Sequence, residues 1–206
     1  VPDQPNFEVA SNWLRRCRET HLEACNRVHG RTHTLRLIDC KTRRLIVAKQ
    51  GQPYICLSYV WGEAVHKAEF STELPDVVPK TVEDAMFVAV NLEIPYLWVD
   101  RYCIDQANPL EKHNLIQNMD RVYQNADITI IAAVGDNPHY GLPGVRGTSR
   151  QRQLSLTVGE HTFVTAEEVA GQVKKSTWMS RGWTFQEMLL SRRRLIFTES
   201  QMYFQC

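Results

Sequence analysis

Between residues 54 and 133 the chain alternates three short apolar runs with two amphipathic stretches of helical length, an order that few folds accommodate. The runs are Tyr54-Ile55-Cys56-Leu57-Ser58-Tyr59, Tyr96-Leu97-Trp98-Val99-Asp100 and Ile128-Thr129-Ile130-Ile131-Ala132-Ala133. The second is apolar on both faces, as a central parallel strand must be. Residues 81–92 put Val82, Ala85, Met86, Ala89 and Val90 on one helical face. Asn108 is a good N-cap and Pro109 a good first residue for a helix running to about Gln124. Its apolar stripe is Leu110, Leu115, Ile116, Met119, Val122 and Tyr123. Strand, helix, strand, helix, strand is the pattern of a parallel sheet covered on both faces. Such sheets bind ligands beyond the carboxyl ends of their strands, near the point where strand order reverses. The loops after Tyr59, Asp100 and Ala133 are therefore where function is expected.

The remaining segments read as additions to that core. Residues 7–28 read as one helix, with Trp13, Leu14, Cys17, His21 and Cys25 on one face. Residues 35–40 and 45–48 read as a hairpin around Lys41-Thr42-Arg43-Arg44, and residues 63–79 as a loop. Residues 134–152 are rich in Gly, Pro, Arg and Ser and read as irregular. Strands at 154–158 and 162–165 flank Gly159-Glu160, a second hairpin. A two-turn helix is expected from about Trp183, then strands at 195–197 and 202–204. The length, 206 residues, suits one core rather than two. We read one domain over 1–206, with an N-terminal helix and hairpin extension at 1–50 and an α/β core at 51–206.

Composition excludes several classes. With a formal net charge of +1 there is no global field to recruit nucleic acid. The basic clusters Arg15-Arg16 with Arg18, and Arg192-Arg193-Arg194, read as solvated faces. No apolar run reaches the ~20 residues that span a bilayer. Val1-Pro2-Asp3-Gln4-Pro5 is no signal peptide, and without an initiator Met the chain reads as part of a longer protein. Six scattered cysteines, several in strand-like runs, fit buried free thiols and a cytosolic location. Neither a Walker segment nor a G-x-G-x-x-G is present, which argues against kinases, P-loop NTPases and ordinary dinucleotide dehydrogenases.

Three segments together resemble the heterokaryon-incompatibility (HET) domain family. They are Leu57-Ser58-Tyr59-Val60-Trp61-Gly62; Leu97-Trp98-Val99-Asp100-Arg101-Tyr102-Cys103-Ile104-Asp105-Gln106, followed by Glu111-Lys112, Met119, Tyr123 and Ala126; and Arg181-Gly182-Trp183-Thr184-Phe185-Gln186-Glu187, followed by Leu195-Ile196-Phe197 and Phe204-Gln205-Cys206. Their order and separations are those of the family over residues 10–206. The resemblance implies a fungal protein that triggers cell death when incompatible strains fuse. It also implies partners such as a nucleotide-binding switch or other death-pathway proteins, while self-association is implied by the further likeness to TIR domains.

HET domains in turn resemble TIR domains, which are flavodoxin-like. Ser58-Tyr59 after the first core strand, Asp100 after the second and a late Trp183…Glu187 segment fit that order. In TIR enzymes the Trp is followed four residues later by the Glu that cleaves NAD at its nicotinamide–ribose bond. Trp183 and Glu187 have that spacing, and i, i+4 residues share a helix face. Glycosidic cleavage passes through an oxocarbenium-like transition state that a carboxylate can stabilise. NAD carries a cationic leaving group and needs no general acid. The resemblance thus implies Glu187 as the catalytic residue and Trp183 as part of a nicotinamide wall. It places the rest of the dinucleotide on Ser58, Tyr59, Trp61, Gly62, Asp100, Asp105 and Gln106. NAD is then a substrate, and no cofactor is required.

Plainer readings stand beside these. Glu187 can pair with Arg181 or Arg192 at a helix surface, and the tryptophans can be core anchors, Trp98 above all. Asp100 and Asp105 can bind ribose or a cation, or cap the loop and the helix after it. Ser58 can bond a phosphate or the local backbone. Cys103 with His113 suggests a thiol hydrolase, but nothing in the sequence activates that thiol. Cys17, His21 and Cys25, with His29 and His33 beyond, offer zinc-type ligands; their spacing matches no common paired-Cys motif, and a packed helix face explains them without a metal. No metal site is assigned from the sequence.

Overall fold

The computed structural model describes residues 3–26, 34–62, 71–165 and 168–206. Four strands run parallel at the centre of one sheet: β3 (Ile55–Ser58), β4 (Tyr96–Trp98), β5 (Ile128–Ala132) and β8 (Arg194–Phe197). The antiparallel hairpin of β1 (Arg36–Asp39) and β2 (Arg44–Val47) extends the sheet beside β4, and β9 (Met202–Gln205) closes the other edge against β8. The strand order is β2-β1-β4-β3-β5-β8-β9. From β3 the chain steps out to β4, then returns past β3 to β5, so the strand order reverses at β3. The fold is α/β with a mostly parallel sheet flanked by helices.

All residues of β3 and β5 are buried, which is why those runs are apolar apart from Ser58 and Thr129. Val82, Ala85, Val88 and Ala89 of α3 (Lys80–Asn91) pack into the main core with Leu57 and Leu97. Val90, expected on the inner face, is exposed, and Val88 takes the inner position. A smaller cluster on the other side of β5 joins Ile131, Ala133 and Ile196 to Val173 and Trp178. Val173 belongs to α7 (Val169–Lys175) and Trp178 to a 3-10 turn (Thr177–Ser180), neither of which the sequence pattern revealed.

Three other boundaries differ from expectation. The first helix, α1 (Phe7–Thr20), stops at His21, whose backbone (φ −107°, ψ 50°) leaves the helical region; α2 (Leu22–Cys25) follows at once. Residues 27–33, including His29 and His33, lie outside the described residues. The long helix after Pro109 divides at Asn118 into α5 (Pro109–Gln117) and α6 (Met119–Asn125). Asn118 turns its amide back to the Asn114 carbonyl at 2.8 Å and leaves the helical φ/ψ region. Leu110, placed on the apolar stripe, is exposed. The Asn108 cap is as expected: its side chain accepts from the Glu111 N–H at 3.2 Å. The run ending at Asp100 stops as a strand at Trp98, and Asp100 opens the short helix α4 (Asp100–Cys103).

The second hairpin, β6 (Ser155–Val158) with β7 (His161–Val164), is a separate two-stranded sheet turned at Gly159 (φ 63°). The irregular 134–152 segment is anchored by the buried Asp84 of α3. Its Oδ2 accepts from the Leu142 N–H (2.9 Å) and the Thr148 hydroxyl (3.0 Å), and Lys80 pairs with it at 3.1 Å. Gly141 (φ 89°) permits that approach, since a Cβ there would lie 2.7 Å from the carboxylate. No described helix is long and apolar enough to cross a membrane.

Candidate functional site

Helix α8 (Thr184–Leu190) begins just after Trp183 and carries Glu187 inward, only 2% exposed, toward the carboxyl end of β3. Ser58, the last residue of β3, donates its hydroxyl to Glu187 Oε2. The Ser58 oxygen in turn accepts from the indole of the buried Trp178 at 2.7 Å. Because the indole can only donate, it directs the Ser58 proton onto the carboxylate. The other carboxylate oxygen, Oε1, lies 3.4 Å from Arg181 Nη2. Arg181 Nη1 is buried and has no hydrogen-bond partner among the described residues.

In front of the carboxylate lies a cleft of about 280 Å3. Trp61, Asp100, Gln106, Lys112, Arg181, Trp183 and Glu187 supply its polar and aromatic lining, and Ile104, Ile116 and Met119 its apolar floor. Trp61 donates its indole N–H to Asp100 Oδ1 at 3.0 Å, and the Arg101 N–H reaches the same oxygen at 2.8 Å. Burial, and next the charge of Glu187, push the Asp100 carboxyl up to about 7. Two acids thus share one desolvated cleft, and Asp100 holds its proton near neutral pH. The same burial, with Asp100 beside it, raises Tyr59 well above the usual phenol range.

A family model described as heterokaryon incompatibility protein (HET) matches residues 54–187, more than half of the chain. The chain belongs to the HET family. Membership ties it to fungal heterokaryon incompatibility. No curated protein and no solved structure matches it.

In this HET domain the residues singled out from the sequence fall into two groups. Trp61, Asp100, Gln106, Trp183 and Glu187 line the cleft together. Ser58 is behind Glu187, with its hydroxyl already engaged. Tyr59 is buried beside it and lines no part of the cleft; Gly62 (φ 73°) packs where a Cβ would meet Pro138 Cδ at 2.8 Å. Asp105 caps the loop by accepting from the Ala107 N–H at 2.9 Å. Arg181 and Lys112 were not singled out as site residues, although both stand in the family-like segments. Cys103 is buried, and that burial pushes its thiol up to about 12, away from the thiolate a nucleophile needs.

A second polar constellation of the HET domain adds Cys206 to the Cys17, His21 and Cys25 of the sequence pattern. The ligating atoms of Cys17, His21, Cys25 and Cys206 all lie within 4.8 Å of one another. Nor are Arg192-Arg193-Arg194 a solvated face: Arg193 is 1% exposed, and its neighbours are half-buried.

Proposed function

We propose that this HET domain is a death effector that hydrolyses NAD at the nicotinamide–ribose bond in the cleft over Glu187, and that it does so when copies associate. The observation that carries the reading is the buried Glu187 carboxylate, held by Ser58 and Trp178 and lining one cleft with Trp61 and Trp183. In the reaction the bond from C1′ of the ribose to the pyridinium nitrogen breaks, and its electron pair neutralises the departing nicotinamide. Water adds to C1′ and releases a proton to solvent. Glu187 stabilises the positive charge that develops on the ribose. The indoles offer flat walls for the nicotinamide ring, and the open Nη1 of Arg181 is a donor for its carboxamide oxygen.

At about 280 Å3 the cleft holds a nucleoside-sized fragment rather than a whole dinucleotide. A neighbouring groove of about 510 Å3 shares Ile104 and Gln106 with it and is bordered by Arg101. The remainder of the dinucleotide fits there, with its phosphates toward Arg101 and Lys112. The parallel order β4-β3-β5-β8, with the cleft at the reversal, supports the flavodoxin-like reading of the sheet.

A second reading has its own observation. The β6–β7 hairpin presents Leu154, Leu156, Val158 and Phe163 on one face, each more than half exposed. Phe185 and Leu189 are likewise exposed on the outer side of α8. Such patches suit a death-signalling interaction module without chemistry, in which the Arg181–Glu187 pair only holds the fold.

Nicotinamide release from NAD separates the two. It is measured with concentrated wild-type domain, with Glu187→Gln and with Trp183→Ala, each shown by circular dichroism to be folded. Trp183 is 46% exposed, so its truncation spares the core. Release by wild type, abolished in Glu187→Gln and reduced at least tenfold in Trp183→Ala, supports the enzyme. No release from any protein, even when oligomerised by a fused coiled coil, counts against NAD hydrolysis and favours the module.

A further inference from the structure

We propose that Cys17, His21, Cys25 and Cys206 form a structural zinc site, which clamps the N-terminal helices to the last strand of the sheet. The site takes one divalent, thiophilic ion. It is independent of the chemistry proposed for Glu187.

The donor set is the first argument. Three thiols and one imidazole make a Cys3His set, one of the closed four-ligand combinations of structural zinc. Thiolates about 2.3 Å and an imidazole about 2.0 Å from zinc leave the ligand atoms about 3.5–3.8 Å apart on a tetrahedron. All four atoms here already lie within 4.8 Å, and His21 Nδ1 stands 3.3 Å from Cys206 Sγ. Small side-chain rotations are enough to close the site.

The backbone is the second argument. In an unbroken helix Cys17 and Cys25 would be about 12 Å apart along the axis, too far to share an ion. The chain instead leaves the helix at His21 and restarts at Leu22, which folds Cys25 back toward Cys17. Cys206 arrives from the opposite end of the sequence, one residue past β9. Trp13 of α1 stacks on Phe204 of β9 with centroids 6.0 Å apart, so the two elements are already in register.

Charge is the third and independent argument. Arg193 is buried, and its Nε donates to Cys17 Sγ at 3.1 Å. Its other described partners are the Asn26 side-chain oxygen and the Asp127 carbonyl, at 3.2 Å for the latter. None of these is a carboxylate. A buried guanidinium with only neutral partners is costly. Zinc with three thiolates carries a net charge of −1, which one arginine neutralises, and the N–H···S bond then becomes charge-assisted.

Position indicates a structural role. Gln205 pairs with Arg194, the first residue of β8, so Cys206 lies beyond the amino ends of the parallel strands. The Glu187 cleft lies at their carboxyl ends. With four protein ligands, no position remains open for substrate.

The test is the metal content of the chain purified under reducing conditions without chelator. Close to one zinc per molecule is expected. Cobalt(II) added to the metal-free chain should give intense tetrahedral d–d bands and a sulfur-to-cobalt charge-transfer band. Cys206 is exposed, so Cys206→Ser keeps the fold; it should weaken binding at least tenfold and change the cobalt spectrum, whereas Cys103→Ser should alter neither. Chelation should lower the thermal midpoint of wild type and leave that of Cys206→Ser nearly unchanged. A folded, reduced wild type that neither carries zinc nor develops the charge-transfer band would overturn the proposal. So would Cys206→Ser binding metal as tightly as wild type.

Discussion

At the carboxyl ends of the parallel strands, the buried Glu187 meets Ser58 on one oxygen and Arg181 on the other. At the amino ends the buried Arg193 meets a sulfur, an amide oxygen and a carbonyl. The first constellation brings a charge and its counter-charge together within the chain. The second brings a cation to three thiols and an imidazole, which carry a counter-charge as the proposed zinc–thiolate set. Burying an ion requires compensation in either place. What differs is the source of that compensation, and so how each end should respond to mutation, pH and chelation.

Glu187→Ala should produce the largest effect at the carboxyl end. It strips the partner from Ser58 and leaves the half-buried Arg181 without its carboxylate partner, a combined loss of about 3–5 kcal/mol in urea unfolding. Glu187→Gln keeps an acceptor for Ser58 and should cost about 1–3 kcal/mol. Equal, small losses in both variants would mean that the Arg181–Glu187 pair does not hold this end together.

Asp100 tests the same end through pH. Its carboxyl is near 3.8 when unfolded and about 7 in the fold, so the folded state holds the proton more tightly. Stability from this group is complete below about pH 4 and is lost as pH rises through about 7, a swing on the order of 4 kcal/mol. Asp100→Asn should match wild type near pH 4 and exceed it at pH 8. Parallel pH–stability curves for the two proteins would remove Asp100 from the shared field of Glu187.

Much of this arrangement could be read from the sequence, for identifiable reasons. β3 and β5 are buried along their whole length, so apolar runs located them. Trp61, Asp100 and Gln106 stand in loops after parallel strands, where function is expected, whereas Trp183 and Glu187 stand out only through the family resemblance, with which their i, i+4 spacing agrees. Elements of four to seven residues, such as α4, α7 and the 3-10 turn, are too short for a helical period to register. The breaks at His21 and Asn118 carry neither Gly nor Pro, so nothing in the pattern announced them. Nothing in the sequence pattern sets Arg181 and Lys112 apart as cleft residues, because their place in the cleft depends on packing. Cys206 meets Cys17 only after the whole sheet has formed, a convergence that spacing cannot show.

Trp178→Phe should have a smaller effect. The ring still fills its place beside Ile131 and Ile196, but the Ser58 oxygen loses a donor, at a cost of about 1–2 kcal/mol. If the proposed reaction holds, the same change should lower turnover more than stability, since Ser58 is then free to turn away from Glu187. A stability loss with unchanged turnover would limit Trp178 to packing.

The smallest effect is expected where charge is paired in water. Arg44 and Glu73 lie 3.2 Å apart with both side chains more than 60% exposed. Solvent screens such a pair, and holding two long side chains together costs entropy, so Arg44→Ala should change stability by less than about 0.5 kcal/mol. Arg44 also sits on β2, where its backbone pairs with Asp39 whatever the side chain. Urea unfolding of Arg44→Ala beside Glu187→Ala therefore measures what burial adds to the same carboxylate–guanidinium chemistry. A loss at Arg44 approaching that at Glu187 would show that burial is not what makes the pair at the cleft matter.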